Sequence, residues 1–500
     1  MENLTDNRQQ TTDNRQPTTH VHRSFSVGGD NQQPTTAMPK SSIHFDISER
    51  KILLRILDIV CVLALLYLVS MLFNFDYFKI NSEHWVWSIV LATYLTIFAT
   101  IFELYNLQKA SKFDVVVKNV IITSSVTVLF YLLTPFYTPM LPSNRLQIVY
   151  FFLAINVAML VWRYAYIILI SAPRFYKRVI LIAHAQDVDT IIASLQKSDP
   201  NYRVIGYFNT APYDGTIVNN LEIDSIAVED IAMLTDEMTI SEIVVGTPLS
   251  EGMTVELNNK LIKLLENGIP IREYTQVYEE LTHRIPVQHV EKDFYRYFPF
   301  SRSNQNKLYL FFNRILDLLF SLLGLAFGFM LIPILVIGNL LANRGPLFYS
   351  QTRVGKNGEY FKIYKLRSMV VNAEKNGAQF AEARDTRVTK FGRFLRKSRF
   401  DEIPQFINVI KGEMSVIGPR PERPEFVEDL KEKIPFYEVR HLVKPGVTGW
   451  AQVNAKYGSS EEDSLEKLQY DLYYIKHRSL FLDITIIIKT LSTIVFFRGQ

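Results

Sequence analysis

Apolar residues run through this 500-residue chain in three textures: four long blocks, then short alternating runs, then one more long block leading into a mixed region. The stretches 52–73, 85–102, 120–134 and 146–170 approach or reach the roughly 20 apolar residues that let a helix cross hydrocarbon; the third is short and rich in Ser and Thr. Arg50, Lys51 and Arg55 precede the first, Lys109, Lys112 and Lys118 lie between the second and third, and Arg174, Lys177 and Arg178 follow the fourth. The other two loops carry only Lys79 and Arg145. Positive charge collects on the cytoplasmic side, so the pattern predicts four transmembrane helices over 46–172 with both ends cytoplasmic. Arg163 falls inside the fourth span, where a cation either serves function or snorkels toward the cytoplasmic end.

From Arg178 the period changes. "RVILIA", "YRVIGYF" and "SEIVVGTP" read as strands, "VDTIIASLQKS" as a helix, and "TVELNNKLIKLLENG" as a helix leading to "IPIREY". Strands and helices alternating at this spacing predict a parallel, Rossmann-like module over 173–300. The turn after the first strand reads "AHAQDVD" and lacks the G-x-G-x-x-G that lets a backbone approach pyrophosphate, which disfavours NAD. Asp187-Val-Asp189 spells the D-x-D of metal-dependent glycosyltransferases, a triplet that chance also supplies.

The last long apolar block, 315–342, has basic flanks on both sides: Lys307 and Arg314 before, then Arg344, Arg353, Lys356 and Lys362 after. A spanning helix would strand one flank across the membrane, whereas one that enters and returns keeps both cytoplasmic. Pro333 in mid-segment supplies a bend, so the sequence favours re-entry. The run 480–497 carries Asp483 and Lys489 and reads as an amphipathic helix lying in the interface.

Composition adjusts this outline. Hydrophobic residues make up 48% of the chain and mean hydropathy is +0.06, in keeping with membrane segments. Residues 1–45 are dominated by Gln, Thr, Asn and Pro, with "TDNRQ" at Thr5 and again at Thr12, and hold too few apolar residues to offset the entropy of ordering. They read as a disordered tail without a signal-peptide core. A single cysteine, Cys61, excludes an intrachain disulfide and a cysteine metal cluster. A net charge of +4 is too small to indicate a nucleic-acid partner.

Positive charge is instead concentrated. Between Arg384 and Arg399 stand Arg387, Lys390, Arg393, Arg396 and Lys397, opposed only by Asp385, and the adjacent acids Asp401 and Glu402 follow at once. Adjacent acids ahead of Pro404 are ordinary N-terminal helix chemistry, and a basic run is ordinarily a solvated face. Together, however, cations beside a helix start make a site for phosphate. Carboxylates inside that field act as metal ligands or nucleophiles.

The C-terminal region also carries a series of longer motifs: "NRILD", "GPLFYSQTRVGKNGEYFKIYKLRSM", "DTRVTKFGRFLRKSRFDEIPQFINVIKGEMSVIGPRPERP", "VRHLVKPGVTGWAQVNA" and "YDLYYIKHRSLFLDI". The series resembles the bacterial sugar transferases, the polyprenyl-phosphate sugar-phosphotransferases of the undecaprenyl-phosphate glucose/galactose type that start exopolysaccharide and O-antigen assembly. The N-terminal layout is similar to the large, multi-helix subgroup. The resemblance implies transfer of a sugar phosphate from a UDP-sugar to undecaprenyl phosphate, release of UMP, and a need for Mg²⁺. By it Asp401 is the nucleophile that forms an aspartyl-phosphosugar, and Glu402 helps hold the metal. Arg396 meets the diphosphate, and Arg420 of Pro419-Arg420-Pro421 seats the uridine diphosphate. Lys365 and Arg367 match a K-F-R-S-M motif in which Leu366 replaces Phe, and Asp471 supports the metal or phosphate. Arg399 and Phe400 stand where the family more often has Ser and Leu.

The expected fold class is a membrane protein, α plus α/β: a four-helix transmembrane unit, a Rossmann-like module, and over 301–500 a monotopic catalytic domain with a re-entrant helix. Its place is the bacterial inner membrane with the catalytic domain on the cytoplasmic face, among membrane lipid, with room for a homo-oligomer. Two other readings compete. One is a catalytically inactive scaffold or regulator of polysaccharide export; the other is a glycosyltransferase centred on Asp187 and Asp189.

Overall fold

A computed structural model describes residues 47–73, 75, 77–106, 110, 113–169, 176–199, 201–210, 223–226, 240–246, 254–289, 306–343, 345–371, 373, 385–455, 458 and 460–495. The expected disordered tail lies outside them. Four helices come first: α1 (Ile47–Leu72), α2 (Trp85–Ile101), α3 (Phe113–Leu132) and α4 (Leu146–Leu169). They bury Leu54, Leu66, Leu91, Leu95, Val120, Phe151 and Ile155 against one another and turn Ile56, Leu68, Ile89, Leu129 and Val157 outward. An apolar exterior around an apolar core is what a bilayer solvent selects.

The third helix is not the short one. It begins seven residues before the apolar block starts and runs 20 residues, with Thr123, Ser124 and Thr127 turned inward and Ser124 Oγ 2.8 Å from both the Val120 carbonyl and Asn156 Oδ1. The 17 residues of α2 make it the shortest of the four. Arg163 does not snorkel. Its side chain is 0% exposed and grips Asp58 of α1 through Nε (3.1 Å) and Nη2 (2.6 Å), while Nη1 donates to the Leu104 carbonyl at 2.9 Å.

The middle region is a five-stranded, all-parallel sheet of order β3-β2-β1-β4-β5, built from β1 (Lys177–Ala183), β2 (Tyr202–Asn209), β3 (Asp224–Ser225), β4 (Glu242–Val245) and β5 (Ile271–Glu273). Side chains alternate along β1. Val179, Leu181 and Ala183 pack under α5 (Ala185–Ser198) and α7 (Tyr274–Thr282), while Ile180 and Ile182 face α6 (Val255–Glu266) on the other side. Asp187 and Asp189 both lie on α5. Two positions apart on a helix they do not face one another, so the triplet does not converge on one ion there.

The C-terminal region opens with α8 (Lys307–Ala342), 36 residues and, at the usual helical rise, about 54 Å long. One stripe of α8 is buried, with Asn313, Asp317, Ser321, Gly328, Leu335 and Asn339 at intervals of four or seven residues. The opposite face exposes Leu322, Phe329, Met330, Ile337 and Leu341. Side-chain hydrogen bonds tie both ends of α8 to the same folded body. Near the start, Arg314 donates to the carbonyls of Val409 and Ile410, and Asp317 accepts from Ser415 Oγ and the Val416 N–H. At the far end, Asn343 donates to the Arg367 carbonyl at 2.8 Å.

Around α8 are the hairpin β6 (Phe348–Val354) and β7 (Tyr360–Leu366), the short helices α9 (Lys390–Lys397) and α10 (Gln405–Lys411), and a parallel pair of β8 (Ser415–Ile417) and β9 (Gly446–Thr448). The helices α11 (Pro424–Lys433), α12 (Trp450–Asn454), α13 (Glu461–His477) and α14 (Leu480–Val495) complete it. The charges of α14 face inward: Asp483 accepts from Tyr309 and Tyr474, and Lys489 donates to Asn454 at 2.6 Å. Its exposed side is apolar, with Phe481, Ile484 and Leu491. The charges that suggest a wet face therefore bind protein, and the side left open suits lipid.

Candidate active site

The acids sit on a single 3₁₀ turn, Phe400–Glu402, between α9 and α10. Arg399 starts this turn in the left-handed region (φ 61°, ψ 14°), a conformation that side chains other than Gly, Asn and Asp adopt at a cost. Its reversal carries the chain from α9 into the turn, and its guanidinium comes back to Glu402 Oε2 at 3.2 Å. Glu402 Oε1 accepts from Arg420 Nη1 at 3.0 Å, with Lys365 Nζ 3.9 Å away. Asp401, by contrast, has a buried Oδ1 with no hydrogen-bond partner.

Two close backbone approaches bring these groups together. A side chain at Gly392 would collide with the Ser368 backbone, so only glycine lets α9 lie on that segment, and Arg396 Nε then donates to Ser368 Oγ at 3.0 Å. Gly418, between β8 and the Pro419-Arg420-Pro421 turn, presses against the backbone of Lys444 and Gly446 in the same way. This crossing aims Arg420 at Glu402.

Asp401, Glu402, Arg396, Arg420, Lys365 and Arg367 all line one cavity of about 320 Å³. Asp471 is not among its lining residues. Its carboxylate is 1% exposed and accepts from Arg440 Nη2 at 2.8 Å, and the same nitrogen donates to the Arg420 carbonyl at 3.1 Å. Asp471 thus acts on the turn that carries Arg420, through Arg440. Sequence reasoning missed Arg440 although it stands in a quoted motif, because its partner lies 31 residues away. It also missed Arg353, which lines the cavity and donates to the Pro421 carbonyl (3.2 Å) and to Gln351 Oε1 (2.7 Å).

The two acids are shifted in opposite directions. Burial and the neighbouring Glu402 charge push the Asp401 carboxyl up to about 6. Burial also pushes Glu402 up, but the summed charges of Arg420, Arg399 and Lys365 outweigh it and hold that carboxyl well below the usual range. Burial, together with Arg420, lowers the Lys365 ammonium to about 8. Glu402 is therefore a fixed anion inside a cationic clamp, and Asp401 is an exchangeable, partly desolvated carboxylate facing a basic cavity.

Mg²⁺ typically takes one or two carboxylates and completes its shell with water and substrate phosphate oxygens. Neighbouring carboxylates with an unpartnered oxygen fit that requirement; among the described residues no group of three or more His, Cys, Asp or Glu forms an all-protein metal cage.

A carboxylate beside a fixed anion, in a basic cavity next to a long apolar helix, has the chemistry to take a phosphate-bearing ligand at a membrane surface. The chain belongs to the bacterial sugar transferase family, whose model matches residues 308–497. It is 48% identical over 141 residues to a putative undecaprenyl-phosphate N-acetylgalactosaminyl 1-phosphate transferase of Bacillus subtilis (strain 168), covering 28% of this chain and 79% of the relative. It is 42% identical over 227 residues to the UDP-N-acetylgalactosamine-undecaprenyl-phosphate N-acetylgalactosaminephosphotransferase of Aeromonas hydrophila, covering 45% of this chain and 52% of that protein. To the UDP-glucose:undecaprenyl-phosphate glucose-1-phosphate transferase of Escherichia coli (strain K12) it is 45% identical over 154 residues, 30% of this chain and 33% of the relative. The chain thus spans about half the length of the Aeromonas relative and a third of the Escherichia one.

Proposed function

We propose that the protein transfers a sugar phosphate from a UDP-sugar to undecaprenyl phosphate at the cytoplasmic face of the bacterial inner membrane, as the first membrane step of a polysaccharide. The observation that carries this reading is the split between Asp401 and Glu402. Asp401 Oδ1 attacks the sugar-bearing phosphorus, the bond from that phosphorus to the bridging oxygen breaks, and UMP leaves with the oxygen and its electron pair. A phosphate oxygen of undecaprenyl phosphate then attacks the aspartyl-phosphosugar at phosphorus and releases the Asp401 carboxylate. Arg396, Arg420, Arg353 and Lys365 offset the negative charge of both steps. Mg²⁺ held by Glu402 would supply further charge neutralisation at the phosphates.

We read the membrane placement from α8. Its start and its end are bonded to one catalytic body, which supports re-entry at the cytoplasmic face over spanning, and its exposed side supports contact with lipid. A single cysteine at Asn357 in a Cys61→Ser background should then resist an impermeant thiol reagent in intact cells and react after permeabilisation. The parallel sheet supports a Rossmann-like origin for the middle module.

The names of the three relatives above divide between N-acetylgalactosamine and glucose, so those UDP-sugars head the test. Purified protein should release UMP from one of them in the presence of undecaprenyl phosphate and Mg²⁺. Release of UDP would favour the D-x-D glycosyltransferase, and no release across the panel would favour the scaffold.

A further inference from the structure

The cavity that holds the acids is also lined by α12, through Ala451 and Gln452, and by Ala455 just beyond. The other face of this short helix is gripped from three directions. Trp450 Nε1 donates to the His283 carbonyl at 3.1 Å, from the end of α7 in the α/β module, where His283 adopts the left-handed conformation (φ 56°) that closes the helix. Tyr473 of α13 stacks on Trp450 with ring centroids 6.1 Å apart. Lys489 of α14 lies 4.5 Å over the Trp450 ring and bonds Asn454.

His283 lies outside the family-matched residues 308–497, yet it is held to them firmly. Glu279 of α7 pairs with Lys476 and His477 of α13, and Arg284 donates to Glu466 at 3.1 Å. The Ile285 N–H donates to the Gln469 carbonyl at 3.1 Å. The module is therefore docked along the back of the catalytic wall.

We propose that the α/β module is a positioning element of the active site: its docking on α13 presents the His283 carbonyl to Trp450 and so fixes the α12 wall against which the bound sugar nucleotide rests. This rests on the functional reading above for its substrate, though not for its mechanics. His283, Trp450 and Lys489 are positioning residues and touch no reacting atom. A wall that is held less firmly should weaken substrate binding while leaving the acids and their cations intact.

The experiment uses the full chain and two readouts. Glu279→Ala/Arg284→Ala removes the docking pairs, Trp450→Phe keeps a ring but loses the donor, and the triple variant combines them. Amide exchange over 450–455 should accelerate in the docking variant, a result that does not depend on turnover. The KM for the UDP-sugar should rise about tenfold in each, with kcat within about twofold, and the triple variant should be no worse than the more affected parent, since the changes break one chain of contacts. If the docking variant fails to fold, Glu279→Gln, which keeps the shape, should give the same changes at smaller size. Unchanged exchange over 450–455, or effects on KM that multiply, would overturn the proposal. Absence of UMP release from the wild-type protein would instead count against the functional reading, with the exchange result still deciding this one.

Discussion

Two buried ionic clusters, one between the N-terminal apolar helices and one in the C-terminal region, use the same residue types to opposite ends. Around Arg163 and Asp58 both carboxylate oxygens are engaged, the third guanidinium nitrogen is spent on a backbone carbonyl, and both side chains are 0% exposed. Around Asp401 and Glu402, three cations converge on one acid while the other keeps an oxygen without a partner at the edge of a cavity. A closed pair fixes helix positions in a solvent that punishes unpaired charge; an unbalanced one stores reactivity. Burial and charge are common to both, so neither identifies a catalytic group. The unmet valence is what marks Asp401 as the candidate.

The comparison is tested most severely by removing the unmatched oxygen. Asp401→Asn should lower transfer by at least roughly a thousandfold, as loss of a covalent nucleophile does, with the protein still folded by gel filtration. On the closed side, Arg163→Ala should leave Asp58 buried and uncompensated at a cost of about 3–5 kcal/mol, read as lost thermal stability in detergent, while kcat of the folded fraction is unchanged. Replacing both partners by Leu and Met should recover much of that loss.

Smaller effects sharpen the electrostatics. As a nucleophile Asp401 would work as a carboxylate, so the UMP-release rate should rise with pH through about 6, where the raised group ionises. Glu402→Gln removes the like charge that helps hold Asp401 up, so whatever activity remains should show that acid limb at lower pH. On the alkaline side the rate should fall through about 8 as Lys365 loses its proton. Lys365→Arg, which cannot deprotonate in this range, should extend the plateau upward with a modest change in rate.

Where a motif lies within a few residues, it was legible in the chain. The adjacent acids Asp401 and Glu402 and the basic run that holds Arg396 stand out from order alone, whereas Arg420 in its proline turn was marked by resemblance; one turn and one strand crossing bring them together. Pairings across long separations were not. Asp58 is the partner of Arg163 from 105 residues away, and Arg440 claims Asp471 through tertiary packing rather than spacing. The charges of α14 illustrate the same limit. Periodicity reports that one side differs from the other, but it does not say which side meets water when the surroundings are lipid. Ser and Thr likewise obscured α3, since a hydroxyl that bonds the preceding turn's carbonyl is polar in sequence and nearly apolar in place.

The central claim is that Asp401 becomes covalently loaded, and it can be read without the lipid acceptor. Purified full-length protein with Mg²⁺ and the accepted UDP-sugar, labelled in its sugar-proximal phosphate, should release about one UMP per active site in a burst and carry the label on the peptide containing Asp401 by mass spectrometry. Adding undecaprenyl phosphate should discharge that label into the lipid. UMP release that occurs only when the acceptor is present, with no labelled peptide, would contradict the account.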